Sequence, residues 1–123
     1  MKFKIDTREK FTIITPDSDF TSDNLTAELK ELLTSFLQHK TNLVINLKNA
    51  VTVKENLVKE LAAWQQQFYE HQVSFVLCEL QLPVQAFINQ LDLDSGLNIT
   101  PSETEAWDIV QMEEIERELL GDE

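Results

Sequence analysis

Side chains able to act as nucleophiles, bases or metal ligands are few in this chain and lie far apart in its sequence. His39 and His71 are the two histidines, and each falls at the end of a predicted helix among polar neighbours. The single cysteine, Cys78, ends an apolar run that predicts a buried strand, so we expect a structural thiol. The adjacent Glu79 opposes the electropositive setting that a reactive thiolate requires. These residues form no nucleophile–base pair and no metal-ligand spacing, so we expect no catalytic and no metal site.

Carboxylates are common, yet their spacing predicts neither acid–base chemistry nor a cation site. Asp92 and Asp94 lie in a Leu-Asp-Leu-Asp-Ser-Gly turn. The two acids are either part of an ordinary turn or a pair that transfers protons, and we expect the ordinary turn. The turn lacks the spaced oxygen ligands of a calcium loop. Gly96 and Gly121 are the two glycines, so a glycine-rich phosphate loop cannot be built. We therefore expect no cofactor and no enzymatic activity.

The segment Lys54-Glu55-Asn56-Leu57 opens an amphipathic helix directly after a predicted buried strand and a short loop. In a strand–loop–helix unit this position often carries a binding or switch site. Thr52, with Glu55 three residues later, fits a capping box that would satisfy the first amides of the helix. The segment offers a cation, an anion, an amide and an apolar side chain. These types suit an interaction module rather than an enzyme.

Strands and helices alternate along most of the chain, which predicts an α/β fold. Period-2 patterns and short apolar runs predict strands at residues 2–8, 11–15, 42–47, 73–78 and 97–99. Apolar residues at helical spacing predict helices at residues 24–38, 54–69, 83–90 and 103–120. After an initial hairpin the alternation implies crossover connections, hence a mixed sheet of four to five strands with about four helices packed on it.

The ends and inner faces of these helices also follow from the sequence. Ser102 with Glu105 makes a second capping-box match, Pro83 suits the first turn of the third helix, and Gly121 suits a C-terminal stop. The predicted inner-face residues are Leu25, Leu29, Leu32, Leu33 and Phe36, then Leu57, Leu61, Trp64 and Phe68, then Val84, Phe87 and Ile88. The last helix carries Ala106, Ile109, Val110, Met112, Ile115 and Leu119 among its acids. Trp107 is offset from this apolar stripe, so we expect it to be half exposed and available to a partner.

The charge of the chain limits its partners. The net charge is −12, and residues 102–123 contain nine acidic residues and one arginine, a sum of −8. Nucleic acid and anionic membrane surfaces would be repelled. The acidic C-terminal helix is either a solvated face or a surface for a basic partner.

Length and composition indicate the class of protein. A chain of 123 residues that is 42% hydrophobic suits a single domain over residues 1–123 with its own core. Its apolar runs are too short to span a membrane, and one cysteine cannot form an internal disulfide. The first five residues alternate like a strand and not like a signal peptide, so we expect a cytoplasmic protein.

Four short patterns occur in order along the chain. They are the strand 42–47 followed by Lys48-Asn49, the strand 73–78 followed by Leu82-Pro83-Val84, the turn 91–97, and the stretch from Pro101 to Glu105-Ala106 that opens the last helix. Together with the element order, over about residues 2–120, they resemble a STAS domain. This is the fold of bacterial anti-sigma-factor antagonists and of the cytoplasmic tails of sulfate transporters.

The resemblance fails at the motif that carries the family's regulation. Family members have aspartate-serine-serine-glycine at the start of the second helix, and a partner kinase phosphorylates the second serine, which breaks the complex. Without a gap, this motif falls on Lys54-Glu55-Asn56-Leu57, and none of its residues is kept. Asn56 stands at the acceptor position and has no hydroxyl, so the phosphoswitch is predicted to be absent. Glu55 could mimic a phosphate, although the capping box explains it more simply.

The resemblance implies a non-catalytic regulatory module of bacterial signalling and transcription that lacks the phosphorylatable serine. Its partner would be a protein such as an anti-sigma factor or a serine-kinase-like regulator, bound through Lys54, Glu55, Asn56, Leu57 and the loop 17–23. The alternative is a small-molecule-binding or transporter-accessory module, because some family members serve in these ways. The sequence leaves the oligomeric state open, with a homodimer among the outcomes.

Overall fold

A computed structural model describes residues 3–17, 27–92 and 96–121. In these ranges it contains five strands and four helices, as the sequence predicts. They are β1 Phe3–Thr7, β2 Thr12–Pro16, α1 Ala27–Gln38, β3 Leu43–Asn46, α2 Glu55–Glu70, β4 Phe75–Cys78, α3 Leu82–Gln90, β5 Ile99–Thr100 and α4 Glu103–Gly121. Three predicted features lie outside the described residues. They are residues 18–23 of the loop expected to contact a partner, the start of the first helix at residues 24–26 with Leu25, and Asp94 of the acidic turn.

The strands form one mixed sheet in the order β1-β2-β3-β4-β5. β1 and β2 are an antiparallel hairpin, whereas β2 to β5 are parallel. Parallel neighbours require crossover connections, and α1, α2 and α3 lie in the connections that follow β2, β3 and β4. The prediction of a mixed sheet with four helices packed on it is therefore confirmed.

Alternate side chains of each strand point to opposite faces of the sheet, and each face has its own apolar cluster. Ile14, Ile45 and Leu77 are in register and belong to the larger cluster, which also contains the inner faces of α1, α2 and α3. Their neighbours Ile13, Val44 and Val76 face the other way. They belong to a smaller cluster with α4, whose members are Phe11, Ile13, Val44, Val76, Cys78, Ala106 and Val110.

The inner faces predicted for the first three helices are confirmed wherever the structure describes them. Leu29, Leu33, Leu57, Leu61, Phe68, Val84 and Ile88 are buried, and Leu32, Phe36, Trp64 and Phe87 are partly buried against them. In α4 the apolar residues divide. Ala106 and Val110 are buried, whereas Met112, Ile115 and Leu119 are exposed.

The two predicted capping boxes have opposite outcomes. The amide of Glu105 donates to Ser102 Oγ at 3.2 Å, so the serine half of the second box is confirmed. The first box is wrong: α2 begins at Glu55 with Lys54 as its N-cap, and no side-chain hydrogen bond caps it. Thr52 lies two residues too early to reach the first amides. Val53 before the cap and Val58 after it instead join the same apolar cluster, with the spacing of a hydrophobic staple.

Candidate functional site

The loop from the end of β3 to the start of α2 alternates between buried and exposed residues. Leu47, Ala50 and Val53 are buried and anchor the loop in the larger apolar cluster. Between these anchors and directly after Val53, a second set is exposed, comprising Lys48, Asn49, Val51, Thr52, Lys54, Glu55 and Asn56. Because apolar anchors fix the loop at three points, its exposed residues form a defined surface. We call these seven residues the β3–α2 surface.

Hydrogen bonds from neighbouring elements hold the same loop. The Leu47 amide donates to the carbonyl oxygen of Cys78 at 2.9 Å, which extends the pairing of β3 with β4. The Gln81 side chain, just before α3, donates to the carbonyl oxygen of Lys48 at 2.8 Å. The loop backbone is therefore tied to the chain that follows β4, which reduces the ordering cost of binding a partner.

Asn46 links this loop to the N-terminus of α4, a connection that the sequence analysis missed. Its side chain is wholly buried, and its Nδ2 donates to Glu103 Oε2 at 2.6 Å. Its Oδ1 accepts from the Lys48 amide at 2.9 Å. The signal in the sequence was an amide that interrupts the apolar run of β3, since a buried amide must find partners on both its donor and acceptor sides.

The four predicted site residues do not share one environment. Lys54, Glu55 and Asn56 are exposed at the first turn of α2 and belong to the β3–α2 surface. Leu57 is wholly buried and packs in the larger apolar cluster. Its predicted place on a partner-binding surface is therefore wrong, because its helical position turns the side chain towards the sheet.

Glu55 is engaged within its own helix. Its Oε2 lies 2.8 Å from Lys59 Nζ, one turn further along. A carboxylate in the first turn also interacts favourably with the positive end of the helix dipole. The role of Glu55 in a capping box is wrong, since no side chain caps α2.

The groups considered for chemistry lie on different elements of the fold. Burial, followed by Glu79 and Glu103, raises the pKa of the Cys78 thiol to about 12, so it is protonated at neutral pH. His39 and His71 are exposed at helix ends, and each Nδ1 lies 2.8 Å from a carbonyl oxygen of its own helix. Asp92 is exposed just after α3. Within residues 3–17, 27–92 and 96–121, no group of three or more potential metal ligands could hold an ion.

Trp107 is half-buried on α4 and meets an aromatic ring of its own chain. Its ring stacks on Phe11 with centroids 4.9 Å apart and planes 25° from parallel. The prediction of partial exposure is confirmed, while its contact with a partner stays a prediction. The stack fastens α4 to the start of β2.

No helix in the described part of the chain is long and apolar enough to cross a membrane. A scan against protein-family models found no match to the sequence. A search of curated proteins likewise found none.

Solved structures with the same fold do match. A putative anti-sigma factor antagonist of Thermotoga maritima, TM1081, superposes with a TM-score of 0.70 at 16% identity, over 89% of this chain and 94% of that one. An anti-sigma-factor antagonist (STAS) domain protein from Planctomyces limnophilus gives a TM-score of 0.67 at 16% identity, over 89% and 97%.

The same fold also occurs within a much larger protein. The murine anion transporter Slc26a9 matches with a TM-score of 0.62 at 15% identity, over 84% of this chain but 18% of the transporter. At such identities the likeness concerns the fold alone. The five-stranded mixed sheet, its helices and these superpositions together show that the chain has a STAS-like fold.

Proposed function

We propose that this protein is a non-catalytic regulatory module that binds a protein partner through the β3–α2 surface. The observation that carries the proposal is the exposure of Asn56 and its neighbours at the first turn of α2 and in the loop before it. Buried anchors and the Asn46 and Gln81 side chains hold this loop in place. A fixed, exposed loop next to a helix start suits recognition. The described residues there provide no nucleophile with an adjacent base.

The partner is a protein of the class that anti-sigma-factor antagonists regulate, an anti-sigma factor or a serine-kinase-like regulator. The support is the STAS-like fold that this chain shares with an anti-sigma-factor antagonist domain protein. The surface itself is mixed in charge, since its exposed residues include Lys48, Lys54 and Glu55 in a chain of net charge −12. Such a surface can pair with both signs of charge on a partner, and exposed pairs of this kind set specificity and association rate more than affinity.

We also propose that serine phosphorylation does not regulate this interaction. Asn56 occupies the acceptor position of the resemblance and offers an amide in place of a hydroxyl. Because α2 has no side-chain cap, the Thr52 hydroxyl is not engaged there and is the nearest candidate for modification. The interaction would then be constitutive.

The binding surface is tested by substitution of Asn56→Arg, with Gln67→Arg as the matched control. Both residues are exposed on α2 and both changes add one positive charge, but Gln67 lies in the C-terminal half of the helix. We expect partners captured from a lysate of the source organism to bind Asn56→Arg at least about tenfold more weakly, and Gln67→Arg as well as the unchanged protein. Affinities that are equal for all three proteins would show that partners bind elsewhere.

The absent switch needs its own measurement. The protein is incubated with ATP and the captured kinase-like partner, and incorporated phosphate is located by mass spectrometry. We expect no label within Lys54–Leu57. Phosphate found on Thr52 of the unchanged protein, and absent from Thr52→Ala, would show that the interaction is not constitutive. It would mean that the phosphoswitch has moved from position 56 to Thr52.

A transporter-accessory module is the second candidate, and the match to one segment of the transporter Slc26a9 favours it. The two candidates differ in the captured partner. An integral membrane transporter held through the β3–α2 surface would support the second, whereas a kinase-like or anti-sigma partner would support the first.

A small-molecule-binding role is less well supported by the geometry. A cleft of about 420 Å³ lies at the C-terminal ends of α2 and α4, lined by residues that include Gln65, Tyr69 and Arg117. It is at the opposite end of α2 from the β3–α2 surface.

A further inference from the structure

Helix α4 carries apolar residues on two opposite faces. Ala106 and Val110 are buried against the sheet. Met112, Ile115 and Leu119 point the other way, with 59%, 55% and 75% of their surface exposed. A helix that only covers a sheet needs a single apolar face, so the outer row requires another explanation.

The outer row has the spacing of a helix-pairing seam. Its members are separated by three and then four residues, as the apolar positions of a heptad are. Eight large hydrophobic side chains are exposed among the described residues, and four of them, Met112, Ile115, Leu119 and Leu120, lie within the last three turns of α4. Scattered exposed apolar residues need no explanation, but such a concentration marks an interaction surface.

Acidic side chains border this row on both sides. At helical spacing Glu105 and Glu116 fall along one edge of the outer row, Glu118 falls along the other, and Asp108 continues the row towards the N-terminus. The one cation of α4, Arg117, turns inward, where its Nη2 lies 3.1 Å from Ser74 Oγ and 3.4 Å from Asn42 Oδ1. The outer face of α4 therefore presents an apolar row between carboxylates, without a cation.

This charge pattern decides between two kinds of occupant. A second copy of the chain would bring its own outer row together with the same carboxylates, so that like charges would face each other along both edges. Each copy also carries a net charge of −12. A partner helix with an apolar stripe flanked by lysine or arginine would bury the row and pair with Glu105, Glu116 and Glu118.

We propose that the outer face of α4, formed by Met112, Ile115 and Leu119 with their acidic borders, docks a basic amphipathic helix of a partner protein. This surface lies on the other side of the sheet from α2. The proposal therefore goes beyond the β3–α2 surface and does not depend on it.

The test uses two synthetic helical peptides of three heptads with leucine in the apolar stripe. One carries lysine at the flanking positions and the other carries glutamate, and binding to the full chain is followed by fluorescence anisotropy. We expect the lysine peptide to bind with an affinity that falls as salt rises, and the glutamate peptide not to bind.

The variant Met112→Ser/Ile115→Ser separates docking from general attraction to an acidic protein, because it leaves the net charge unchanged. Its matched control is Leu82→Ser, which removes an 85% exposed apolar side chain from α3. We expect the double variant to weaken lysine-peptide binding at least about tenfold, while Leu82→Ser binds as the unchanged protein does. Circular dichroism confirms that each variant is folded.

Three results would overturn the proposal. In the first, the lysine peptide binds the double variant and Leu82→Ser equally well. In the second, the lysine peptide does not bind the unchanged protein at concentrations up to about 1 mM. In the third, the unchanged protein forms a stable dimer and the double variant does not. The last result would assign the row to a second copy. The two proposals can fail separately. If the lysine peptide does not bind α4 but Asn56→Arg loses the captured partners, the β3–α2 surface remains supported.

Discussion

Leu57 is wholly buried beneath the first turn of α2, whereas the three residues before it are exposed. It shares its cluster with Val53, Val58 and Leu61, so its side chain holds the start of α2 against the sheet. Its contribution to the β3–α2 surface is thus to position the exposed residues.

We expect Leu57→Ala to lower the free energy of unfolding by about 2–5 kcal/mol, because it leaves a cavity in a packed cluster. Asn56→Ala, one residue away and exposed, should change it by less than about 0.5 kcal/mol. Urea unfolding followed by circular dichroism measures both. Equal effects of the two substitutions would contradict the burial of Leu57.

The buried thiol of Cys78 predicts a pH dependence of stability. Burial raises its pKa to about 12 from an ordinary value of 9.0, so the unfolded chain loses this proton at lower pH than the folded one. Below pH 9 both states hold the proton and the group has no effect. As the pH rises from 9 towards 12, stability falls, by at most about 1.4 kcal/mol per pH unit from this group.

Urea unfolding of the unchanged protein and of Cys78→Ala, at about pH 8 and about pH 10.5, isolates this contribution. Alanine removes a buried atom and lowers stability at both pH values. The unchanged protein should nevertheless lose more stability between them. Parallel losses would mean that the thiol is accessible to solvent in the folded protein.

At the scale of elements, the starts of α2 and α4 form a natural comparison. Ser102 accepts the Glu105 amide before α4, whereas Thr52 has no such role before α2. Ser102→Ala should therefore destabilise the protein by about 0.5–2 kcal/mol. Thr52→Ala should stay within about 0.5 kcal/mol of the unchanged protein. Thermal unfolding of the two variants provides the measurement, and a larger loss for Thr52→Ala would restore the predicted capping box.

The same comparison shows what sequence patterns can and cannot predict at this scale. The number, order and type of the elements followed from apolar periodicity, because that period is set by which side must face the core. The start of α2 was also predicted to within one residue, but its cap was not, because Thr52 was expected to cap the helix and Lys54 occupies the N-cap position without a side-chain hydrogen bond. The ends of α1 and α2 have no glycine signal either, because Lys40 and Gln72 adopt positive φ angles of 54° and 63° there.

At the scale of the whole molecule, the mixed sheet and the STAS-like fold could be anticipated, whereas the links between distant segments could not. Asn46 reaches Glu103 across 57 residues, and Ser74 donates to Glu113 across 39. Such pairs depend on where α4 crosses the sheet. Local sequence patterns do not predict that position. The burial of Leu57 followed from its helical period, whereas the binding role of Asn56 comes from the resemblance and stays a prediction.

Because α4 lies on a different face of the sheet from the other three helices, it can detach at a lower free energy than that of complete unfolding. Among the described elements, the side of the sheet that bears Ile13, Val44 and Val76 has this helix as its only helical cover. Detachment of α4 would uncover that side while the cluster beneath α1, α2 and α3 stays packed. Partial opening of this kind requires less free energy than complete unfolding, so we expect it to dominate slow amide hydrogen exchange in α4. A protein bound to the outside of α4 would suppress that opening. Binding would therefore slow amide hydrogen exchange in the strands beneath α4, although the partner does not touch them.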